Sequence, residues 1–472
     1  MQPDQKNAQY DAMAATWKKM RDCSIGLRAV RARGSTYLPR LGGQDSDADA
    51  SYQSYLNRAQ FFNAVGRTVD SMGGHIFRKQ PVITLPKAMD EYKNDINMGG
   101  LSLEGFLNNI VEEVVEVGRA GVLVEHPERE DDADGVKLTV EESRQRGLRP
   151  YLTSYAAEDI INWSTGRVNN ATVLTRVFLS EKYTQDDEEL IQIRELFLDG
   201  AYGQRVWRQS TEKNKKGGWF VFSEVFPKKN GAEIGEIPFY PIGTKEAGME
   251  IQDPPLEGLA DTCLGFYRNS ADYENALHVA GTPTPWINGI TNPEEFPAIH
   301  LGSNTFLKLP PEAEAGFLQT GADGVAALKE AMQEKKQEMA AQGARMLEAD
   351  KRAVESAESQ AIKRGGENSI LASLAGSVEM SMTKALRFMA EWIGATDADK
   401  VNVELNKDYM PNVLDASTMK EYRENYLTGA WSFQTFFDAC IAGEAVSEGL
   451  TYEDEIDRKE NDPPALGLIN DD

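Results

Sequence analysis

The side chains best spaced for chemistry lie in one acidic stretch. Glu130, Asp132, Asp134, Gly135 and Glu141 fill positions 1, 3, 5, 6 and 12 of a calcium-loop register, in which alternating oxygens and a closing carboxylate surround a hard cation. Glu130 stands where aspartate is usual, and Lys137 where an apolar residue is usual. A solvated acidic loop is therefore expected, with no metal and no cofactor. His75, His126, His278 and His300 are scattered, with no pair at metal-ligand spacing. Cys263 and His278 fall on one expected helix but are separated by roughly 22 Å along it, too far for a thiol–imidazole pair. No G-x-x-x-x-G-K-S/T cradle occurs, which excludes a P-loop ATPase, and Gly118-Arg119-Ala120-Gly121 reads as a helix-to-strand turn. An acidic metal-dependent hydrolase or nuclease remains the alternative. It would need carboxylates clustered at strand ends, whereas these acids fall in loops and helix stripes. The expectation is that the chain is not an enzyme.

The elements that would carry these residues follow from composition and period. At 472 residues the chain exceeds what one core usually serves. A net charge of −25 argues against gripping nucleic acid or an anionic membrane, though not against a wall that DNA slides past. Cys23, Cys263 and Cys440 are too few and too far apart for a disulfide framework. There is no signal-peptide pattern and no apolar run of the roughly 18–20 residues that span a bilayer. Residues 1–50 read as loosely organised, with one short helical piece near Trp17–Cys23. A single helical stripe runs from Tyr52 to Ile76, ended by Gly73 and Gly74, and a helix capped by Ser102 feeds a strand at Gly121–Glu125. From Pro150 to Pro241 the period becomes two, as in an antiparallel meander. Asp253 then caps a long helix to Gly281 with the stripe Leu256, Ala260, Cys263, Tyr267 and Ala271. Two more helices, at Asp323–Leu347 and Ser356–Ile393, lead to a strand at Val401–Leu405, short helices and an acidic tail.

The Asp323–Leu347 segment has two opposed faces. Val325, Leu328, Met332, Met339, Gly343 and Met346 share one stripe; Glu330, Glu334 and Glu338 lie opposite, one turn apart, with Lys329, Lys335 and Lys336 on the flanks. Like charges at that spacing cost a helix a few tenths of a kcal/mol per pair. One reading is a solvated outer face. The other is a helix packed beside symmetry copies, its lysines near neighbours' acids and its acidic face on a water-filled lumen.

An ordered series of motifs bears on that choice. Tyr55-Leu56-x-Arg58-Ala59-x-Phe61-Phe62-Asn63-x-x-Gly66-Arg67-Thr68-Val69-Asp70, then Ile76-Phe77-Arg78-Lys79-x-Pro81, resembles the N-terminal signature of tailed-phage portal (head-to-tail connector) proteins. The resemblance is to the branch catalogued as a domain of unknown function. It continues through Leu101-Ser102-Leu103-Glu104-Gly105-Phe106, Gly118 to Val124, Leu259-Ala260, Tyr267-Arg268 with Ser270 to Tyr273, and Thr282-Pro283-Thr284-Pro285. Gly343 to Leu347, Glu355-Ser356-Ala357 and Glu367-Asn368-Ser369-x-Leu371 complete it, over roughly residues 50–450.

What the resemblance implies is an α+β portal architecture assembled as a ring of, usually, twelve subunits. The wing would be 1–252, the stem helices 253–281 and 322–347, and the clip 282–321. The tunnel loop would be 348–357, the wing/crown connecting helix 358–394, and a short crown and tail 395–472. Lys351 and Arg352 would lie nearest DNA phosphates, beside Glu348 and Glu355, with Glu330, Glu334 and Glu338 on the channel. Lys329, Lys335 and Lys336 would sit between stems, and Trp286, Ile290 and Phe306 in clip strands shared between subunits. Implied partners are copies of itself, double-stranded DNA, the terminase large subunit, adaptor and tail proteins, scaffold and major capsid protein, but no membrane. The place would be a capsid vertex of the virion, after assembly in the host cytoplasm. Another ring-forming connector component is the remaining alternative. The expectation hangs on the two stem rods being too poor in apolar surface to stand alone.

Overall fold

Serine at position 102 accepts a hydrogen bond from the Gly105 amide and starts a helix at the expected residue. In the computed structural model that helix, Leu103–Val117, buries Phe106, Ile110, Val114 and Val117 on one face. Gly118 ends it at φ 81, where a side chain would meet the Gln252 carbonyl and Pro254. The structure describes residues 2–127, 148–168, 170–210, 218–281, 284–289, 313–318, 323–344, 357–409, 416–443, 445–446 and 450–461.

They divide into two compact units, Met1–Asn406 and Lys407–Asp472. The large unit opens with α1 (Ala8–Ile25), α2 (Leu27–Ala32), α3 (Ala50–Arg58), α4 (Ala64–Ile76), β1 (Val82–Thr84), α5 (Leu103–Val117) and β2 (Arg119–Glu125). Then come β3 (Tyr151–Ala156), β4 (Ile160–Val168), β5 (Ala171–Gln185), β6 (Glu188–Asp199), β7 (Ala201–Gln209) and β8 (Trp219–Val225). A small hairpin, β9 (Lys228–Lys229) with β10 (Ala232–Glu233), precedes β11 (Phe239–Gly243). The long α6 (Glu257–Gly281) leads through β12 (Thr284–Asn288) and β13 (Glu314–Leu318) to α7 (Asp323–Met339). Last are α8 (Ala357–Trp392) and β14 (Asn402–Glu404). Among the described residues no helix is long and apolar enough to cross a membrane.

The mixed α+β class and the antiparallel meander hold: β4-β5-β6-β7-β8 form one sheet in chain order, every neighbour antiparallel. A second sheet, β11-β2-β3, is antiparallel, with β2 buried along its whole length. Gly121 is required there, since a Cβ would stand 2.2 Å from the Phe239 ring across the sheet. The long α8 lies along this sheet and β14: Ser381 Oγ donates to the Pro241 carbonyl at 2.8 Å, and Glu379 Oε1 accepts from the Leu405 amide at 2.7 Å.

Four expectations are corrected. Residues 1–50 are not loose, because α1 spans 18 residues and buries Tyr10, Trp17, Met20 and Cys23. Distant segments partner its charged residues: Arg21 meets Glu113, Glu116 and Glu158, and Lys19 meets Glu257 and Asp261. The single stripe from Tyr52 to Ile76 is two helices. Residues 59–63 run extended between them, because the Ser270 hydroxyl of α6 accepts from the Gln60 amide and donates to its carbonyl. Gly73 and Gly74 sit inside α4, whose cap is Asn63. The strand near 402 does not belong with the C-terminal part, since β14 pairs with β1 and residues 395–406 fold with the large unit.

The second unit carries α9 (Ala416–Leu427), α10 (Phe433–Ala442) and α11 (Tyr452–Asn461). Its core is aromatic: Phe433 and Phe437 meet Tyr452, and Tyr426 stacks on Phe436 at 5.3 Å.

Candidate functional site: the paired rods

Pro254 follows Asp253, and Pro255 follows Pro254. A residue preceding proline is pushed out of the helical region, so Pro254, itself followed by Pro255, cannot be the first helical residue that a cap at Asp253 would need. The Glu257 amide instead donates to the Pro254 carbonyl at 3.2 Å, and α6 starts at Glu257. Glu257 and Asp261, in its first turns, hold Lys19 at 3.0 and 2.7 Å.

The apolar stripe lies where spacing placed it. Leu256, Ala260, Cys263, Tyr267 and Ala271 are all buried, joined by Leu259, Leu264 and Phe266. This overturns the idea that both rods are too poor in apolar surface to stand alone, because the first half of α6 is core, packed on α1, α3 and α4. Beyond Asn275 the character changes. His278, Ala280 and Gly281 are exposed, and Leu277 and Val279 lie open at 41% and 44%.

Against α6 runs α7, antiparallel: Thr262 Oγ1 donates to Gln342 Oε1 at 3.3 Å, Cys263 Sγ to Met339 Sδ at 3.8 Å, and Lys336 Nζ lies 5.5 Å from the Phe266 ring centre. Met339 is buried, while Val325, Leu328 and Met332 are half-buried. Glu330 and Glu334 are exposed away from α6, and Glu338 is exposed beside Gln342, from which it accepts at 3.3 Å. Lys336 is exposed, with its ammonium 5.7 and 5.5 Å from the ring centres of Phe62 and Phe266. The Lys335 stem lies against Gly265, and Lys329 is exposed. The helix stops short of the expected Leu347: α7 ends at Met339 and passes into a π turn at Ala340–Ala344, where Gly343 takes φ 124. Gly343 faces Thr68 and Met72 of α4 and fixes where the rod ends.

At the other end β12 pairs with β13 within the chain, Trp286 opposite Gly316. Trp286 is exposed at 41% and Phe317 at 54%. Ile290, Phe306, Glu348, Lys351, Arg352, Glu355, Glu130, Asp132, Asp134 and Glu141 lie outside the described residues.

Two buried acidic clusters bear on the hydrolase alternative. Arg194 Nε donates to Glu181 Oε1 at 2.6 Å, with Glu125 3.5 Å from the same guanidinium. Tyr155 and Tyr151 hydroxyls donate to Glu181 and Glu125, each at 2.6 Å. Burial works against the Glu181 charge, but Arg194 and these donors outweigh it and hold its carboxyl below the usual value. In the second cluster burial pushes Glu113 up although Arg21 reaches it. Both are occupied by arginine, and among the described residues no group of three His, Cys, Asp or Glu could hold a metal. Burial pushes the Cys263 thiol up to about 11, away from nucleophilic chemistry. Sequence reasoning missed both networks, because their members come from helices and strands far apart in the chain, and no spacing shows which of these will meet.

The family described as "Domain of unknown function (DUF4055)" matches residues 255–393, which take in α6, the β12–β13 hairpin, α7 and α8. No curated protein matches the chain. Among solved structures, "Virion of native gene transfer agent (GTA) particle" aligns at 11% identity and TM-score 0.38 over 92% of this chain and 98% of that one. "Neck of empty GTA particle computed with C6 symmetry" aligns at 12% and 0.39, over 83% and 92%. "Neck of native GTA particle computed with C12 symmetry" aligns at 12% and 0.38, over 78% and 86%. At TM-scores this low the likeness carries no argument.

Proposed function

We propose that the chain is the ring-forming subunit of a phage-type head-to-tail connector, the portal. Copies stand side by side around an axis, double-stranded DNA passes through the central hole, and the terminase large subunit and adaptor or tail proteins dock at the end bearing the β12–β13 hairpin. The chain catalyses no reaction in this reading.

One observation carries it: a rod pair anchored in the core at one end and bare at the other, with Leu277, Val279, Trp286 and Phe317 open to solvent. Exposed apolar side chains gathered at one end of a rod have a physical use when like surfaces meet there. The ordered motif series that resembles portal proteins supports the same reading and places the rods in the stem. The charge of −25 per chain suits a conduit, since a twelvefold ring would carry roughly −300 and would not trap phosphates.

Negative-stain electron microscopy and mass photometry of the purified chain test this reading. Rings with a central hole are expected. A monomer that persists at high protein concentration would remove it.

A further inference from the structure

In a chain this acidic, copies repel unless a basic surface meets an acidic one. The large unit has such a basic surface. A cleft of about 780 Å³ opens between α2, the turn at Gly34–Thr36 and α3, lined by Arg28, Arg31, Arg33, Asp47, Gln53 and Asn57 among others. Arg33 is already neutralised by buried Asp22, at 2.7 Å. Asp47, against the Gly34–Ser35 turn, accepts from the Ser35 amide and hydroxyl and lies 3.7 Å from Arg40. Arg31 donates to the carbonyls of Asn57 and Ala59 and lies beside the Tyr267 hydroxyl, and its buried Nε has no partner among the described residues. Arg28 is exposed and makes no ion pair among the described residues. Two guanidinium charges are thus uncompensated in this cleft.

The chain also carries a matching acidic surface. Glu330 and Glu334 are exposed, a turn apart and without an ion pair among the described residues, and Lys335 of the same helix lies against Gly265 of α6. The two surfaces sit at one height on the rod. Continuing the antiparallel register from Cys263–Met339 and Phe266–Lys336 puts Glu334 level with Arg268 and Glu330 level with Asp272. The cleft segments attach to α6 at those residues: Arg268 donates to the Tyr37 carbonyl, Tyr55 to Asp272, and Arg58 to Asn275. They do so on a different flank of α6 from the one that meets α7 through Gly258, Thr262 and Phe266. Complementary patches at equal height on different flanks are what a head-to-tail contact repeated about an axis requires.

We propose that the arginine cleft takes the Glu330–Glu334 face of a second copy of this chain, as the polar contact that sets register between neighbours. This rests on the ring reading and places the acidic face between copies instead of on the channel wall.

Arg28→Glu and Glu334→Arg test it, since both positions are exposed and circular dichroism melts should match the parent. By mass photometry, each single reversal is expected to raise the concentration for half-assembly about tenfold or more, and the double variant to recover most of that loss. Parent rings should loosen between about 0.1 M and about 1 M salt. If the parent forms rings and the single reversals form them equally well, the contact is overturned while the ring reading stands. If those rings retain less duplex DNA, the cleft serves a polyanion, which also overturns the contact. If the parent forms no ring, both fall.

Discussion

The interior of the large unit and the free end of its rod pair obey different rules. Around Arg194 each charged side chain meets an opposite charge or a phenol, and the first half of α6 is covered on its apolar side. Toward Gly281 the same helix leaves Leu277 and Val279 bare. One helix therefore serves two environments. Its sequence changes along its length from an apolar stripe to a surface that the single chain does not cover. The lesson is that the interior stabilises the monomer, and the rod end does not.

Substitutions should separate the two regions by size of effect. Arg194→Met strands two buried carboxylates and should cost about 3–5 kcal/mol at neutral pH, read by urea unfolding; a loss near zero would mean the network is not buried as described. Leu259→Ala, in the covered half of α6, should cost about 2–5 kcal/mol. Gly343→Ala forces a side chain to φ 124 where the rod ends and should cost about 1–2 kcal/mol, with the melting temperature as readout. Leu277→Ala, at the bare end, should change monomer stability by less than about 0.5 kcal/mol while weakening assembly. A large monomer loss there would abolish the contrast.

Acid sharpens it further. The folded-state carboxyl of Glu181 is held below its ordinary 4.5, so its stabilisation is complete above that value and is lost as pH falls through the folded one. Glu181→Gln should flatten that acid limb of the stability curve, read by urea unfolding across the acid range.

Some of this was legible from residue order. Ser102 capping α5, Gly118 ending it and the five-stranded meander depend on neighbours in the chain, which a sequence displays directly. The α6 stripe was also legible, since each of its five residues is buried. The break between α3 and α4 was not, because Ser270, some two hundred positions away, supplies the hydrogen bonds of the extended segment. For the site, the acidic face of α7 was visible as a spacing, but the lie of Lys335 along α6 depends on where Gly265 stands.

Residue order by itself determined the charge balance, the helical and strand periods, and the capping residues, because these arise within a few positions of each other. Tertiary structure alone decided which charges are spent inside the chain, where α6 passes from covered to bare, and that the arginine cleft and the acidic face lie level on different flanks. Those outcomes need contacts between segments far apart in sequence, and the spacing of residues along a chain does not specify which distant segment will supply them.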